Sequence, residues 1–301
     1  MATKEFRGIF AIPPTPFKSD ESLDEKGLDS ILNFTIEAGS HGIVTPVMAS
    51  EYHVLSDDER DIISKRAIDV SNQRIPVVIG VTGISTNHSI NLALRAEQIG
   101  ADAVIAMPPH GRSPSRDEVM KFFDDLGRSL SIPVFIQNHS LAYGMDSKTI
   151  IEVMKNAPNV DYLKEETFYG GQVSTEVLEN AGNACKGIMG GNSGRWMPAE
   201  FNRGQSGNMP SAHMCDVLTV IWNKLEAGDL EGGRNDHKRL LPLISFENIY
   251  GLEAFKEVLV RRGVIESATV RSPGKHTMDR YDLIELDKLM SDVSDLLRWH
   301  V

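Results

Sequence analysis

One lysine and two acids close a short apolar run, Val160-Asp161-Tyr162-Leu163-Lys164-Glu165-Glu166. If this run is a strand, its side chains alternate faces, so Tyr162, Lys164 and Glu166 share one face and Leu163 and Glu165 the other. An amine and a carboxylate then meet at the strand's end. A lysine among apolar neighbours gives up part of its charge, and a neutral amine attacks a ketone to form an imine. A glutamate beside it can then carry protons. The plainer reading, an ion pair capping a strand, suits most lysines in most proteins, so the surrounding chain has to decide.

That chain repeats one pattern. Short apolar runs at 8–12, 42–47, 76–81, 101–107, 133–137, 160–164, 187–190 and 205–209 read as eight strands. Amphipathic stretches at 24–38, 56–71, 86–99, 115–129, 147–156, 170–182, 194–203 and 211–227 read as the helices between them. Ser56 with Glu59 has capping-box spacing, and Ser22 or Asp24, Ser147 and Ser211 are candidate N-caps. At Gly39, Gly100 and Gly204 a helix stops on a glycine able to turn left-handed and a buried strand follows at once. Strand and helix in alternation imply right-handed crossovers and a parallel sheet. Eight such units predict an α/β fold, a (β/α)8 TIM barrel, over residues 1–227. A doubly wound sheet is the alternative, but the glycine-rich phosphate loop it uses is missing. Residues 228–301 read as helices at 229–243, 249–262 and 279–297, packed on the barrel and not an independent domain.

Of the 301 residues, 41% are hydrophobic and 24% charged, the make-up of an ordinary globular protein with a large core. A net charge of -11 argues against nucleic acid as partner. Cys185 and Cys215 have no metal-ligand spacing and are too few for a disulfide framework, so no metal site is expected. The polar start, Met1 to Arg7, is no signal peptide, and no apolar run is long enough for a membrane span. The expected location is the cytoplasm.

Barrel enzymes place their chemistry where strands end and loops begin. Those positions hold Ser50 and Glu51, Thr82, Pro108 to His110, Gln137 to His139, Lys164 and Glu166, and Gly190 to Ser193. The ordered set Gly8-Ile9, Pro14-Thr15-Pro16-Phe17, Leu55-Ser56-Asp57-Asp58-Glu59-Arg60, Pro76-Val77-Val78-Ile79-Gly80, Gly100-Ala101-Asp102-Ala103 with Pro108-Pro109, Pro133-Val134 to Asn138, and Lys164-Glu165 resembles the dihydrodipicolinate synthase and N-acetylneuraminate lyase family. The resemblance runs from about Gly8 to Arg262. It implies a (β/α)8 barrel, a Schiff-base lysine on the sixth strand, carried here by Lys164, and small-molecule 2-oxo acid substrates. It also implies self-association, commonly as a homotetramer, and no cofactor beyond the imine itself.

The departures are informative. Val47-Met48-Ala49-Ser50-Glu51 stands where the family has Gly-Thr-Thr-Gly-Glu, Gln137-Asn138 replaces Tyr-Asn, and Pro108-Pro109-His110 replaces Pro-Tyr-Tyr. The threonine and tyrosines of the family's proton relay are absent together. Ala142 takes the place of the arginine that holds a second carboxylate, so dihydrodipicolinate synthase activity itself is not expected. Ser50-Glu51, Gln137-Asn138, Lys164-x-Glu166 and the tail segment Leu241 to Asn248 are similar to the 2-keto-3-deoxyarabonate dehydratase subgroup. Against that stands Thr82 or Gly83, where the subgroup has a histidine.

The resulting expectation is dehydration of a 2-oxo-3-deoxy sugar acid. Lys164 forms the imine and Glu166, which replaces the lost tyrosine, moves the protons. Ser50, with the amides around Ala49, is expected on the substrate carboxylate, and Gln137 and Asn138 on its hydroxyls. Gly191, Asn192 and Ser193, ahead of a helix, are expected to bind hydroxyl or carboxylate at its positive end. His110 and His139 lie in the right loops, but a lone loop histidine is most often simply exposed. The competing readings are a pyruvate-dependent aldolase, a synthase-like condensation, or a catalytically idle 2-oxo acid sensor.

Overall fold

The protein is described from a computed structural model, which covers residues 5–140, 142–273, 275 and 277–298. The first four residues of the polar start lie outside these. Eight strands follow one another in sequence order round a closed barrel: β1 (Gly8–Ala11), β2 (Gly42–Thr45), β3 (Val77–Gly80), β4 (Ala103–Ala106), β5 (Val134–His139), β6 (Val160–Glu166), β7 (Gly187–Gly190) and β8 (Gly207–Asn208). The registered pairs are parallel. Burial on both faces is what the unbroken apolar runs require, since helices cover the outside of such a sheet.

The helices are α1 (Glu25–Glu37), α2 (Asp57–Ser71), α3 (Thr86–Gln98), α4 (Arg116–Arg128), α5 (Ser147–Asn156), α6 (Gly170–Asn180), α7 (Met197–Asn202), α8 (Cys215–Glu226), α9 (Leu230–Tyr250), α10 (Leu252–Arg261) and α11 (Arg280–Asp292). Gly39, Gly100 and Gly204 all take the positive φ expected of them. Ser56 and Glu59 close the capping box. Asp24 caps α1, but α5 is capped by Asp146 instead of Ser147, and Ser211 makes no side-chain cap. The tail breaks at Gly251, not before Ile249, because α9 runs unbroken through Pro242.

Two compact units divide these elements. One comprises Pro76–Met209 with the residues up to Arg7, and holds β3 to β8 with α3 to α7. The other comprises Gly8–Ile75 and Pro210–Val301. In the second, Val264 and Ile265 and the α10 residue Leu259 share one core with Ala11 of β1, Ile31 and Phe34 of α1, and Cys215 of α8. α10 and the residues just after it thus share a core with the first strand.

β5 and β6 carry the candidate site residues Gln137, Asn138, Lys164 and Glu166. Each runs two residues further than its apolar core alone suggests, to His139 and Glu166, and they pair in register Gln137 to Lys164 and His139 to Glu166.

Candidate active site

The period of two along β6 brings Tyr162, Lys164 and Glu166 onto one face. Tyr162 stacks on Phe135 at 4.6 Å, with Phe6 edge-on to both rings. These rings lie one step before Lys164 and Gln137 on that face, roughly 7 Å along the strands, and floor the site with apolar carbon. Lys164 is 2% exposed and Glu166 9% exposed, and Nζ lies 2.8 Å from Glu166 Oε2. Gln137 Nε2 donates to the same oxygen at 2.9 Å, and the Asn192 backbone N–H reaches Glu166 Oε1 at 3.4 Å.

Burial on its own raises the Glu166 pKa. The Lys164 charge, the His139 imidazole and the hydrogen bonds from Lys164 and Gln137 outweigh it, and the carboxyl sits below its ordinary range. The resting site therefore holds a buried carboxylate anion beside the amine, placed to take a proton.

The other face of β6 is structural. Glu165 accepts from the Thr167 amide and hydroxyl at 2.7 and 2.5 Å and from Asn138 Nδ2 at 2.7 Å. Asn138 Nδ2 also donates to the Met145 carbonyl, and its Oδ1 accepts from the Met145 amide. Asn138 is therefore not the hydroxyl-binding residue expected from its place beside Gln137. Adjacent strand residues face opposite ways, and its amide ties Glu165 to the β5–α5 loop.

At the end of β7 two carboxyls pass on opposite sides of two glycines. A Cβ on Gly190 would lie 2.3 Å from Glu200 Oε2 and 2.5 Å from Asn208 Nδ2, and one on Gly191 would lie 2.2 Å from Glu166 Oε1. Gly191, expected as a substrate contact, thus makes room for the Glu166 carboxylate. Asn192 and Ser193 take left-handed φ values in a 3-10 turn, and α7 begins only at Met197 and is six residues long. The expected helix end is not at Asn192 and Ser193. The turn spends an amide on Glu166 instead.

Glu200 went unread in the sequence, because an acid within a helical stretch looks like a solvated surface. It is buried behind Gly190, held by Asn208 at 3.0 Å, and burial lifts its pKa to about 8. The glycine pair was its one sequence signal. Glu200 and Glu165 line a cavity of about 200 Å³ with Thr167, Tyr169 and Trp196.

In the other unit, Ser50 lies in a 3-10 turn after β2. Its hydroxyl donates to the Pro13 carbonyl at 2.8 Å and accepts from Thr45 Oγ1, its amide donates to Val47, and its carbonyl accepts from Thr15 Oγ1. The hydroxyl's single hydrogen is taken, so donation to a substrate requires exchange of the Pro13 bond. Glu51 follows at φ 57, buried against Lys256 of α10, with the Arg271 backbone N–H on its second oxygen at 3.2 Å. Lys256 also donates to the Thr269 carbonyl, and both cations lie over the Phe17 ring, at 4.5 and 4.1 Å.

A lysine and a glutamate in this setting on the sixth strand of a barrel is the arrangement the sequence resemblance implied. The profile of the dihydrodipicolinate synthetase family matches residues 5–291. The chain belongs to this family. Among family relatives, L-2-keto-3-deoxyarabonate dehydratase of Azospirillum brasilense is 28% identical over 306 aligned positions, covering 99% of this chain and 98% of that one. The 4-hydroxy-tetrahydrodipicolinate synthase of Methanocaldococcus jannaschii is 29% identical, covering 79% and 82%. The crystal structure of dihydrodipicolinate synthase from Rhodopseudomonas palustris superposes with a TM-score of 0.88 at 26% identity, covering 96% and 98%. As a dihydrodipicolinate synthetase family member the chain is a lyase, and no helix among its described residues is long and apolar enough to cross a membrane.

Proposed function

We propose that the chain dehydrates a 2-oxo-3-deoxy sugar acid through an imine on Lys164. The observation that carries this reading is the buried Lys164–Glu166 contact at 2.8 Å, with Gln137 on the same carboxylate oxygen. Glu166 takes the ammonium proton, the freed amine adds to the C2 ketone, and Glu166 gives that proton back as the former ketone oxygen leaves as water, which restores the carboxylate. The imine nitrogen becomes cationic and draws electrons from C3, so a C3 proton becomes acidic and Glu166 is the base beside it. The electrons released at C3 expel the C4 hydroxyl. Gln137, Asn192 and Ser193 are the proposed hydroxyl contacts, and Ser50 with Ala49 the proposed carboxylate contact. Catalysis needs no cofactor other than this imine. The absence of the relay threonine and tyrosines from 47–51, 108–110 and 137–138 favours a glutamate-based route over the synthase relay. The full-length similarity to a 2-keto-3-deoxyarabonate dehydratase supports a pentonate as substrate.

The test is a set of 2-oxo-3-deoxy pentonates and hexonates offered to the purified protein, with products identified by mass. Loss of one water with every carbon retained supports dehydration, whereas release of pyruvate makes the protein an aldolase. Borohydride with pyruvate should trap one adduct on Lys164. Its absence points to a 2-oxo acid sensor.

A further inference from the structure

Elimination of water needs a base at C3 and an acid at C4, and Glu166 as found here is fitted for the first task only. Three donors, Lys164, Gln137 and the Asn192 amide, hold it as the anion. Something else must give the departing hydroxyl its proton.

His139 closes β5 directly across from Glu166, Cα paired with Cα, at a strand spacing of about 4.8 Å. The alternation that puts Gln137 on the face of Lys164 puts His139 on that face too, and the Gln137 bond to Glu166 fixes which face it is. The ring is partly buried, and the charged groups acting on it are Glu166, Lys164 and His110, the last from the loop after β4. A histidine on the catalytic face, in register with the base, is a different object from a lone loop histidine.

We propose that His139 is a second catalytic residue, the acid that protonates the C4 hydroxyl as it leaves; this rests on the dehydratase reading above. The C3–H bond breaks with its proton going to Glu166, its electron pair forms the C3–C4 double bond, and the C4–O bond breaks with that oxygen taking a proton from the imidazolium. One water leaves. Glu166 then returns the C3 proton to the neutral imidazole across the strand pair, and both residues are reset with no net proton gained or lost. Burial, the largest influence on the ring, lowers its pKa while Glu166 opposes the shift. The alkaline limb of the kcat profile accordingly falls below the ordinary histidine value of about 6.5.

The experiment compares wild type with H139Q and H139N on three readouts: borohydride trapping of pyruvate, dehydration of the sugar acid, and turnover of its 4-fluoro analogue, whose fluoride departs without a proton. The expected result is trapping unchanged within threefold, dehydration down about 100-fold or more, fluoride release close to wild type, and loss of the alkaline limb. Dehydration within threefold of wild type in either variant overturns the proposal. So does an equal loss on the fluoro analogue, or loss of trapping together with turnover in both variants, which would make His139 structural. A wild type that traps pyruvate but dehydrates none of the acids removes the dehydratase reading and this proposal together, whereas a dehydrating wild type with unaffected variants removes this proposal alone.

Discussion

Gly191→Ala isolates the geometry of the base. The φ there is negative, at -142, so a methyl group acts chiefly through contact. That methyl would sit 2.2 Å from Glu166 Oε1 and 2.5 and 2.6 Å from its Cγ and Cδ. Ordinary contact begins at 3.4 Å, so the carboxylate has to withdraw by about 1.2 Å, the difference between 3.4 and 2.2. The 2.8 Å contact with Lys164 and the 2.9 Å bond from Gln137 stretch towards 4 Å and are lost as hydrogen bonds. A misplacement of about 1 Å at a reacting group costs on the order of 100-fold in rate. Overpacking adds about 1–3 kcal/mol of destabilisation, which a domain of this size tolerates. The assay pairs the final yield of pyruvate trapping, which depends on an accessible Lys164 and not on how fast Glu166 relieves it of a proton, with the rate of dehydration, which needs the carboxylate in place. Trapping should persist within threefold while dehydration falls about 100-fold. Gly190→Ala, whose methyl would strike Glu200 and Asn208 on the opposite side, should lower stability with far less effect on turnover. A folded G191A protein that dehydrates within threefold of wild type refutes the reasoning.

Three further outcomes follow from the same contacts. Glu200, lifted to about 8 by burial, binds its proton more tightly folded than unfolded, so its contribution is complete below about pH 4.5 and drains away as pH rises towards 8; E200Q should flatten the urea midpoint over that window, and an unchanged slope would count against a protonated Glu200. Lys256→Met strands a buried Glu51 carboxylate and should cost about 3–5 kcal/mol in urea unfolding, with most of that recovered in K256M/E51Q, because it is the uncompensated charge that costs. Asn138→Ala leaves Glu165 and the Met145 backbone short of partners and should cost about 1–3 kcal/mol while pyruvate trapping survives, whereas a substrate-binding Asn138 would instead raise KM at unchanged stability.

The barrel was legible because its evidence is local. Apolar runs, helix periodicity and the three left-handed glycines at 39, 100 and 204 each depend on neighbours within a few residues. The pairing of Lys164 with Glu166 is equally local, following from the alternation of a single strand. Whatever needed a second strand or helix was hidden. Nothing near Asn138 says that Glu165 will take its amide, and no residue close to Glu200 announces the barrel wall it packs against. The helix expected directly after Asn192 and Ser193 starts later, at Met197, because the backbone is left-handed at those two residues. Ser50 shows the same limit, since its hydroxyl donates to a carbonyl 37 residues away in sequence.

Arg271 carries one more implication. Its guanidinium and amide hold the Glu21 and Val54 carbonyls and the Glu59 and Glu51 carboxylates, partners 250, 217, 212 and 220 positions earlier. Closing loops of that span is slow compared with forming a helix or a neighbouring strand pair. During synthesis the turn bearing Ser50 and Glu51 emerges early, yet its anchor Arg271 is added 220 residues after Glu51. A ribosome-bound fragment ending before Lys256 should therefore expose the 46–54 segment to protease, and release of the finished chain should protect it.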